Sequence, residues 1–154
     1  MIEPIHKSIT VRRAPHDAFR LFTAEMGSWW PLESGTHGLA DHEAGEKTER
    51  LVFEEHEGGR VYEVLSTGVE AEWGVVTTWD PPGRVVLDWN PSFERRPYTE
   101  VEVTFTATDD GGTRVDLAHR HWERLGDDAG NEMRAGYDPG WSYVFSERYG
   151  SAAG

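Results

Sequence analysis

Hydrophobic residues change their spacing along the chain, from alternating to helical and then back to alternating. Residues 5–12 alternate over a short stretch and predict a first strand. The stretch from Ala14 to Trp30 has apolar side chains at helical spacing, with Pro15 and Asp17 suited to a first turn. It therefore predicts a helix that stops near Gly27.

From about residue 47 the hydrophobic period is two, which is typical of strands with one buried face. "TERLVFEEH" and "RVYEVLS" flank Gly58 and Gly59, and "EAEWGVVTTW" and "RVVLDWN" flank "DPPG". Two longer alternating segments meet around Asp109–Gly112. These turn signals predict five or six strands that follow one another as a meander.

The last thirty residues return to helical spacing. Their apolar stripe includes Met133, Tyr137, Trp141, Val144 and Phe145. A sheet with one wet face must bury the other face against another layer, and this helix is the obvious cover. The pattern predicts an α+β fold, a curved antiparallel sheet of about six or seven strands on a long C-terminal helix, in one domain of residues 1–154. Pro139 predicts a kink near residues 136–139, or two helices separated there.

Strand parity predicts which side chains face the helix. Val115 and Leu117 share a face that His119 and His121 continue, and Trp73, Val75, Thr77 and Trp79 are also in phase. Aromatic residues with a few polar groups are typical of a small-molecule cavity. The predicted cavity residues are Trp29, Trp30, Phe53, Glu63, Trp73, Trp89, Phe105, His119, His121, Tyr137 and Trp141.

His119 and His121 are the strongest candidates for chemistry, since they lie two residues apart on one strand face. The favoured interpretation is polar lining or structural hydrogen bonding; ligand orientation or general acid–base work comes next and metal binding last. Tyr137 is a possible proton donor. Glu63 lies among apolar neighbours and needs a partner if buried, for which Arg60 or His121 could serve, so a structural ion pair is favoured over a catalytic acid.

Trp29 and Trp30 follow the first predicted helix. We expect one of them in the core and the other at the mouth of the cavity, with Pro31–Gly38 as a gate. His37 in that segment and His42 beyond it are expected to be solvated loop histidines rather than ligands.

Composition narrows the classes of partner. The chain has 154 residues, a formal net charge of −13, no cysteine and seven tryptophans. The negative charge disfavours nucleic acid and anionic membranes, and the absence of cysteine excludes disulfides and thiolate metal sites. We expect a cytoplasmic monomer or homodimer without metal or cofactor, because no signal peptide, membrane-spanning run or nucleotide motif is recognisable.

The motifs resemble one known superfamily along nearly the whole chain. "SITVRRAPHDAFRLFT", "WWP" with a following histidine, "GGRVYEV", "EWGVVTTWDPPGRVVLDW", "HRHWERL" and "GYDPGW" are specific in combination. The sequence resembles START-like (SRPBCC) proteins, and among them single-domain bacterial relatives of activators of the Hsp90 ATPase. The resemblance implies a helix-grip fold with an apolar cavity between sheet and helix for lipid-like, aromatic or polyketide guests.

Three functions are compatible with these observations. The first is binding of a hydrophobic or aromatic small molecule, supported by the inward-facing aromatics and the lack of a recognisable catalytic motif. The alternative is a cyclase, aromatase or hydratase that uses the cavity histidines. A chaperone-interacting domain is the third, on family likeness alone.

Overall fold

The computed structural model describes residues 2–31, 48–91 and 97–154. A strand, β1, precedes helix α1, and six strands then lead to the C-terminal helices. Short 3₁₀ helices occupy Met26–Ser28 and Trp122–Leu125, and a π-helical segment follows α2. The elements are β1 (Ile5–Val11), α1 (Pro15–Phe22), β2 (Thr48–Phe53), β3 (Arg60–Leu65), β4 (Glu70–Asp80), β5 (Arg84–Trp89), β6 (Thr99–Ala107), β7 (Thr113–Arg120), α2 (Asp127–Trp141), the π-helix (Ser142–Tyr149) and α3 (Gly150–Ala153).

The seven strands form one antiparallel sheet in the order β1-β7-β6-β5-β4-β3-β2. Strands β2 to β7 are a meander, as the turn signals predict, and β1 closes the order by pairing with β7. The predicted α+β helix-grip fold is confirmed. Because these strands are neighbours, the ends of β5, β6 and β7 lie side by side. They carry Trp89, Thr99 and His119.

The C-terminal helix is not divided where Pro139 predicts a break. Helix α2 runs through Pro139 to Trp141, and the chain stays helical to Ala153. Ala135, whose carbonyl loses its partner at Pro139, lies on the exposed side of the helix, where water can satisfy that carbonyl. The helical geometry changes later, at Ser142, where the wider π-helix begins. No helix among the described residues is long and apolar enough to cross a membrane.

Strand β4 departs from simple alternation because it carries two irregularities in register. They lie opposite Val61/Tyr62 of β3 and between Val76 and Thr78. Each adds a residue to β4, which reverses the face that the following residues occupy. The prediction that Val75 and Thr77 face inward with Trp73 is therefore wrong: Val76 is buried instead, and Thr77 is exposed.

Glycine at position 74 belongs to this irregular part of β4. A side chain there would place its Cβ 2.3 Å from the Asp88 carbonyl oxygen of β5, so only glycine permits the close approach of the two strands. Gly74 pairs with Trp89 across the ladder. The missing side chain leaves room for the Trp89 ring on the inner face of the sheet.

Candidate functional site

His119 lies near the end of β7 on the inner face of the sheet and is fully buried, as strand parity predicts. Both ring nitrogens are hydrogen-bonded. Trp141 of α2 donates its indole Nε1–H to Nδ1 over 3.0 Å, and Nε2 lies 2.7 Å from the Thr99 hydroxyl oxygen of β6. The imidazole therefore joins the helix to the sheet through two short polar contacts.

The protonation state of His119 follows from these partners. An indole nitrogen only donates, so Nδ1 must accept and the ring proton must be on Nε2. Burial lowers the pKa of His119 to about 3, because the charged form is desolvated. The imidazole is consequently neutral near pH 7 and has no exposed face for proton exchange with a ligand.

His121 does not share this environment, and the prediction that it continues the core face is wrong. Strand β7 ends at Arg120, and His121 adopts a left-handed backbone conformation with φ 70° and ψ 33°. Its side chain is 37% exposed and lies 3.8 Å from a carboxylate oxygen of Glu100. The backbone turn at the end of the strand breaks the alternation on which the prediction relied, so the two histidines do not form a pair.

Glu63 of β3 is buried on the inner face, at 0% exposure. Its Oε2 accepts hydrogen bonds from the Trp73 indole N–H at 3.1 Å and from the Thr48 hydroxyl at 3.3 Å. The ion-pair partners proposed from the sequence are engaged elsewhere: Arg60 pairs with Glu70, and His121 with Glu100. Glu63 is therefore held by uncharged donors as well as by contacts beyond these two.

Both tryptophans of the "WWP" motif are buried, Trp29 at 2% and Trp30 at 6% exposure, so the expectation of one at a cavity mouth is not met. Trp29 donates its indole N–H to the Leu21 carbonyl oxygen and accepts a hydrogen bond from Arg148 at its own carbonyl. The first bond ties the chain after α1 back to that helix, and the second joins it to the π-helix. Most of the proposed gate, with His37, and also His42, lies outside the described residues.

Four indole rings occupy the space between sheet and α2, and we call them the tryptophan cluster: Trp30, Trp73, Trp89 and Trp141. The ring centroid of Trp30 lies 5.0, 6.1 and 6.0 Å from those of the other three, in that order. Tilted and edge-to-face rings at these distances pack favourably. Phe53 and Phe105 are also buried on the inner face, where each forms an aromatic pair, with Trp79 and Phe19 respectively.

A pocket opens beside the tryptophan cluster, between α2 and the ends of β5 and β6. Its empty volume is ≈ 240 Å³, including space open to solvent. On its wall the Trp89 indole N–H donates to the Tyr137 hydroxyl over 3.2 Å. The lining residues are Trp89, Asn90, Pro91, Pro97, Thr99, Leu125, Met133 and Tyr137.

Sequence reasoning identified Trp89 and Tyr137 but missed most of this lining. Thr99 has the parity of Val101 and Val103 and could have been found by extending β6 by one step. Leu125 and Asn90 lie in segments without periodic signal, which only the fold brings together. No group of three or more His, Asp or Glu side chains in the described part of the chain is arranged to hold a metal ion.

Comparison with known proteins gives three findings. Residues 13–148 match the family model described as Activator of Hsp90 ATPase homolog 1-like protein. A comparison with curated proteins gives no match. Solved structures match over nearly the whole chain, which confirms the resemblance drawn from the motifs.

Among the matching structures are two that share at least a quarter of their residues with the chain. Txn09, described as an anthrahydroquino-γ-pyrone synthase complexed with SUM, is 30% identical, with 97% of this chain and 96% of that chain covered and a TM-score of 0.61. CalC from Micromonospora echinospora, described as a self-sacrificing resistance protein, is 26% identical, with 97% and 93% covered and a TM-score of 0.71. The Aha1 dimer from Colwellia psychrerythraea is 16% identical, covers 96% and 94%, has a TM-score of 0.62 and is similar in fold alone.

Proposed function

Because the chain belongs to the family of Activator of Hsp90 ATPase homolog 1-like proteins and has a pocket between its sheet and α2, we propose that it binds a planar, uncharged aromatic small molecule of polyketide-like type. The site is the pocket between α2 and the ends of β5 and β6, within one START-like domain. The observation that carries this proposal is the pocket wall, where Trp89 and Tyr137 present two hydrogen-bonded aromatic rings.

The lining favours this class of ligand over others. None of its eight residues is charged, and leucine, methionine, two prolines and two aromatic rings supply the apolar surface. A buried ionic group of a ligand would find no counter-charge among them, so an uncharged ligand is favoured. Aromatic rings stack well against Trp and Tyr side chains, which favours a flat guest.

The size of the pocket limits how much of a guest it encloses. The space inside it that a water molecule could occupy is only ≈ 20 Å³, far below the range of about 300–1,000 Å³ that is usual for ligand pockets. The tryptophan cluster fills the adjacent interior, so a guest of two or three fused rings extends toward the open side rather than deeper into the core. This geometry favours a flat guest that stacks on the aromatic rings at the entrance over a long lipid that would have to be fully enclosed.

The two most identical of the relatives described above support small-molecule binding. One is described as a synthase of an anthrahydroquino-γ-pyrone, which is a fused aromatic product, and the other as a resistance protein. Both matches cover nearly all of this chain. Polyketide-like aromatics are therefore the first class of ligand to test.

A second candidate function is closure of a pyrone or aromatic ring, favoured by the 30% identity to the synthase. His119 is poorly suited as its acid or base, because it is buried, neutral and bonded at both nitrogens. The Tyr137 hydroxyl lies on the pocket wall and is the better candidate proton donor. In this mechanism the pocket accelerates closure mainly by holding a poly-carbonyl chain in a folded conformation.

Binding can be tested by quenching of tryptophan fluorescence, because Trp89 lines the pocket. We expect saturable quenching by emodin, an uncharged trihydroxyanthraquinone when its phenols are protonated, weaker quenching by the flavone chrysin and none by palmitate. Y137F removes one hydroxyl and should weaken emodin binding roughly 3–10-fold, since one hydrogen bond contributes about 0.5–1.5 kcal/mol. The matched control is Y143F, at an exposed tyrosine outside the pocket.

Two results would contradict binding at this pocket. Absence of saturable quenching by either aromatic probe, or equal affinity of Y137F and the wild type, would exclude this pocket as the binding site. Ring closure is tested separately with a linear 1,3,5-triketone, which closes to a γ-pyrone with loss of one water and a change in absorbance. Acceleration by the wild type that Y137F loses and Y143F keeps would favour the enzyme; no acceleration leaves binding as the function.

A further inference from the structure

Five residues on four secondary-structure elements are joined by a chain of hydrogen bonds that returns to its starting helix. Trp141 donates to His119, His119 contacts the Thr99 hydroxyl, and that hydroxyl contacts the Trp89 carbonyl oxygen at 3.1 Å. The Trp89 indole N–H then donates to the hydroxyl of Tyr137, which lies one turn before Trp141 on α2. We call this closed arrangement the polar ring.

The polar ring has one consistent direction of donation in its central part. Trp141 only donates, so His119 accepts at Nδ1 and donates from Nε2 to Thr99. The Thr99 hydroxyl oxygen accepts this hydrogen bond, and its own O–H donates to the Trp89 carbonyl oxygen. No other protonation of His119 satisfies all three bonds, because a proton on Nδ1 would face the proton of the Trp141 indole.

A second tryptophan fixes the orientation of the imidazole from its flat side. The Trp122 ring lies 3.9 Å from the His119 ring, centroid to centroid, at 34° between the planes. The Trp122 indole N–H also donates to the His119 carbonyl oxygen over 2.9 Å. The "HRHWERL" and "GYDPGW" motifs of the sequence are thus parts of one unit built around His119.

We infer that His119 is a positioning residue of the binding site: through the polar ring it fixes Trp89, Thr99 and Tyr137 in the arrangement that forms the pocket wall. This inference rests on the proposed function. His119 itself does not line the pocket, and neither does Trp141, yet three of the five ring members do. Its contribution to binding is therefore indirect and consists of holding two aromatic rings at one separation and angle.

The protonation state of His119 can be tested in the free protein, without a ligand. In ¹⁵N-resolved NMR spectra, His119 should be neutral, protonated at Nε2 only, and without titration between about pH 5 and pH 8. The Trp89 indole N–H should exchange slowly with solvent in the wild type. A His119 protonated at Nδ1, or one that titrates in this range, would overturn the polar ring whether or not any ligand binds.

Variants then separate positioning from simple stabilisation of the core. H119F keeps a flat ring against Trp122 but removes both polar contacts, and we expect emodin affinity to fall about tenfold or more. H119Q offers an amide oxygen to Trp141 and an amide N–H to Thr99, and we expect it to recover most of the affinity. The matched control is V103A in β6, which weakens the same sheet without contacting the polar ring and should bind emodin within twofold of the wild type.

W141F is the second variant, in case H119F fails to fold. It removes the indole donor, together with part of a ring that packs in the tryptophan cluster but does not line the pocket, and we expect a smaller loss of affinity with faster exchange of the Trp89 indole N–H. Wild-type affinity and exchange in a folded H119F or W141F would overturn the positioning role. If the wild type binds no probe, the proposed function fails, and the exchange of the Trp89 indole in W141F relative to V103A still decides whether His119 positions the wall.

Discussion

Protonation of His119 should couple the stability of this protein to pH. The imidazole is fully buried, accepts a hydrogen bond from Trp141 at Nδ1 and has its pKa lowered by burial from 6.5 to about 3. In the unfolded chain it regains its ordinary pKa. At pH values between these two pKa values, His119 is protonated in the unfolded state but not in the folded state, so acidification favours unfolding.

The sign and the size of the effect follow from that interval. Above about pH 6.5 the histidine is neutral in both states and its full contribution to stability is present. Below that pH the contribution declines by about 1.4 kcal/mol per pH unit, and it ends where the folded-state pKa of about 3 is reached. The total is about 5 kcal/mol, and about 3 kcal/mol of it should be lost by about pH 4.5.

H119Q isolates the contribution of His119 titration to the free energy of unfolding, because glutamine cannot titrate but can keep both hydrogen bonds. Other groups also have shifted pKa values. The Lys7 hydrogen bond lowers that of Asp138, and the hydrogen bonds of Arg84 and Arg120 lower that of Glu102 despite its partial burial. Both proteins share these groups, so only the difference in stability between wild type and H119Q reports His119.

The assay is urea denaturation followed by tryptophan fluorescence from about pH 7.5 to about pH 4.5. We expect the free energy of unfolding of the wild type, minus that of H119Q, to be constant near neutral pH and to fall by about 3 kcal/mol at the acidic end. H119F should give the same trend if H119Q is too unstable to measure. A difference that stays constant across the whole range would refute the assignment of His119 as a buried, neutral residue.

Two further predictions concern helix α2. A Cβ at Gly130 would lie 2.3 Å from the Trp122 carbonyl oxygen, whereas one at Gly136 would meet nothing within 4 Å. In urea denaturation G130A should therefore destabilise the protein by about 1–3 kcal/mol, and its matched control G136A should stabilise it by about 0.5–1 kcal/mol; equal effects would contradict the packing described. Lys7 and Asp138 form a hydrogen-bonded ion pair of 2.6 Å between β1 and α2. K7M should cost at most about 1 kcal/mol, and thermal melts in about 1 M salt should show the loss shrinking; a loss that does not respond to salt would mean that packing by the lysine stem dominates.

The sequence predicted the order and the inner face of most elements because those follow from local periodicity. Val101, Val103, Val115, Leu117 and His119 are buried as parity requires. The errors occur where the backbone departs from its repeat. Register irregularities in β4 bury Val76 instead of Val75 and Thr77. At the end of β7, the left-handed backbone conformation of His121 turns its side chain away from the core.

The site was less predictable than the fold because its residues share no period. Tyr137 and Trp89 could be identified as inward-facing, but their hydrogen bond joins positions 48 residues apart. The same applies to Trp141 and His119, whose nitrogen atoms meet only because α2 crosses the ends of three strands. A pattern can assign a residue to a face, yet it does not state which partner lies opposite.

The amino-acid sequence of this protein is sufficient to predict an antiparallel sheet covered by a C-terminal helix, a family, and an interior rich in tryptophan. Those properties depend on hydrophobic spacing and on motifs, which are local and additive. That His119 is neutral and hydrogen-bonded at both ring nitrogens, rather than an acid or base, could be established from the packed fold alone. Its pKa and its tautomer depend on burial and on the Trp141 and Thr99 side chains, and these are brought to it by the packing of distant segments.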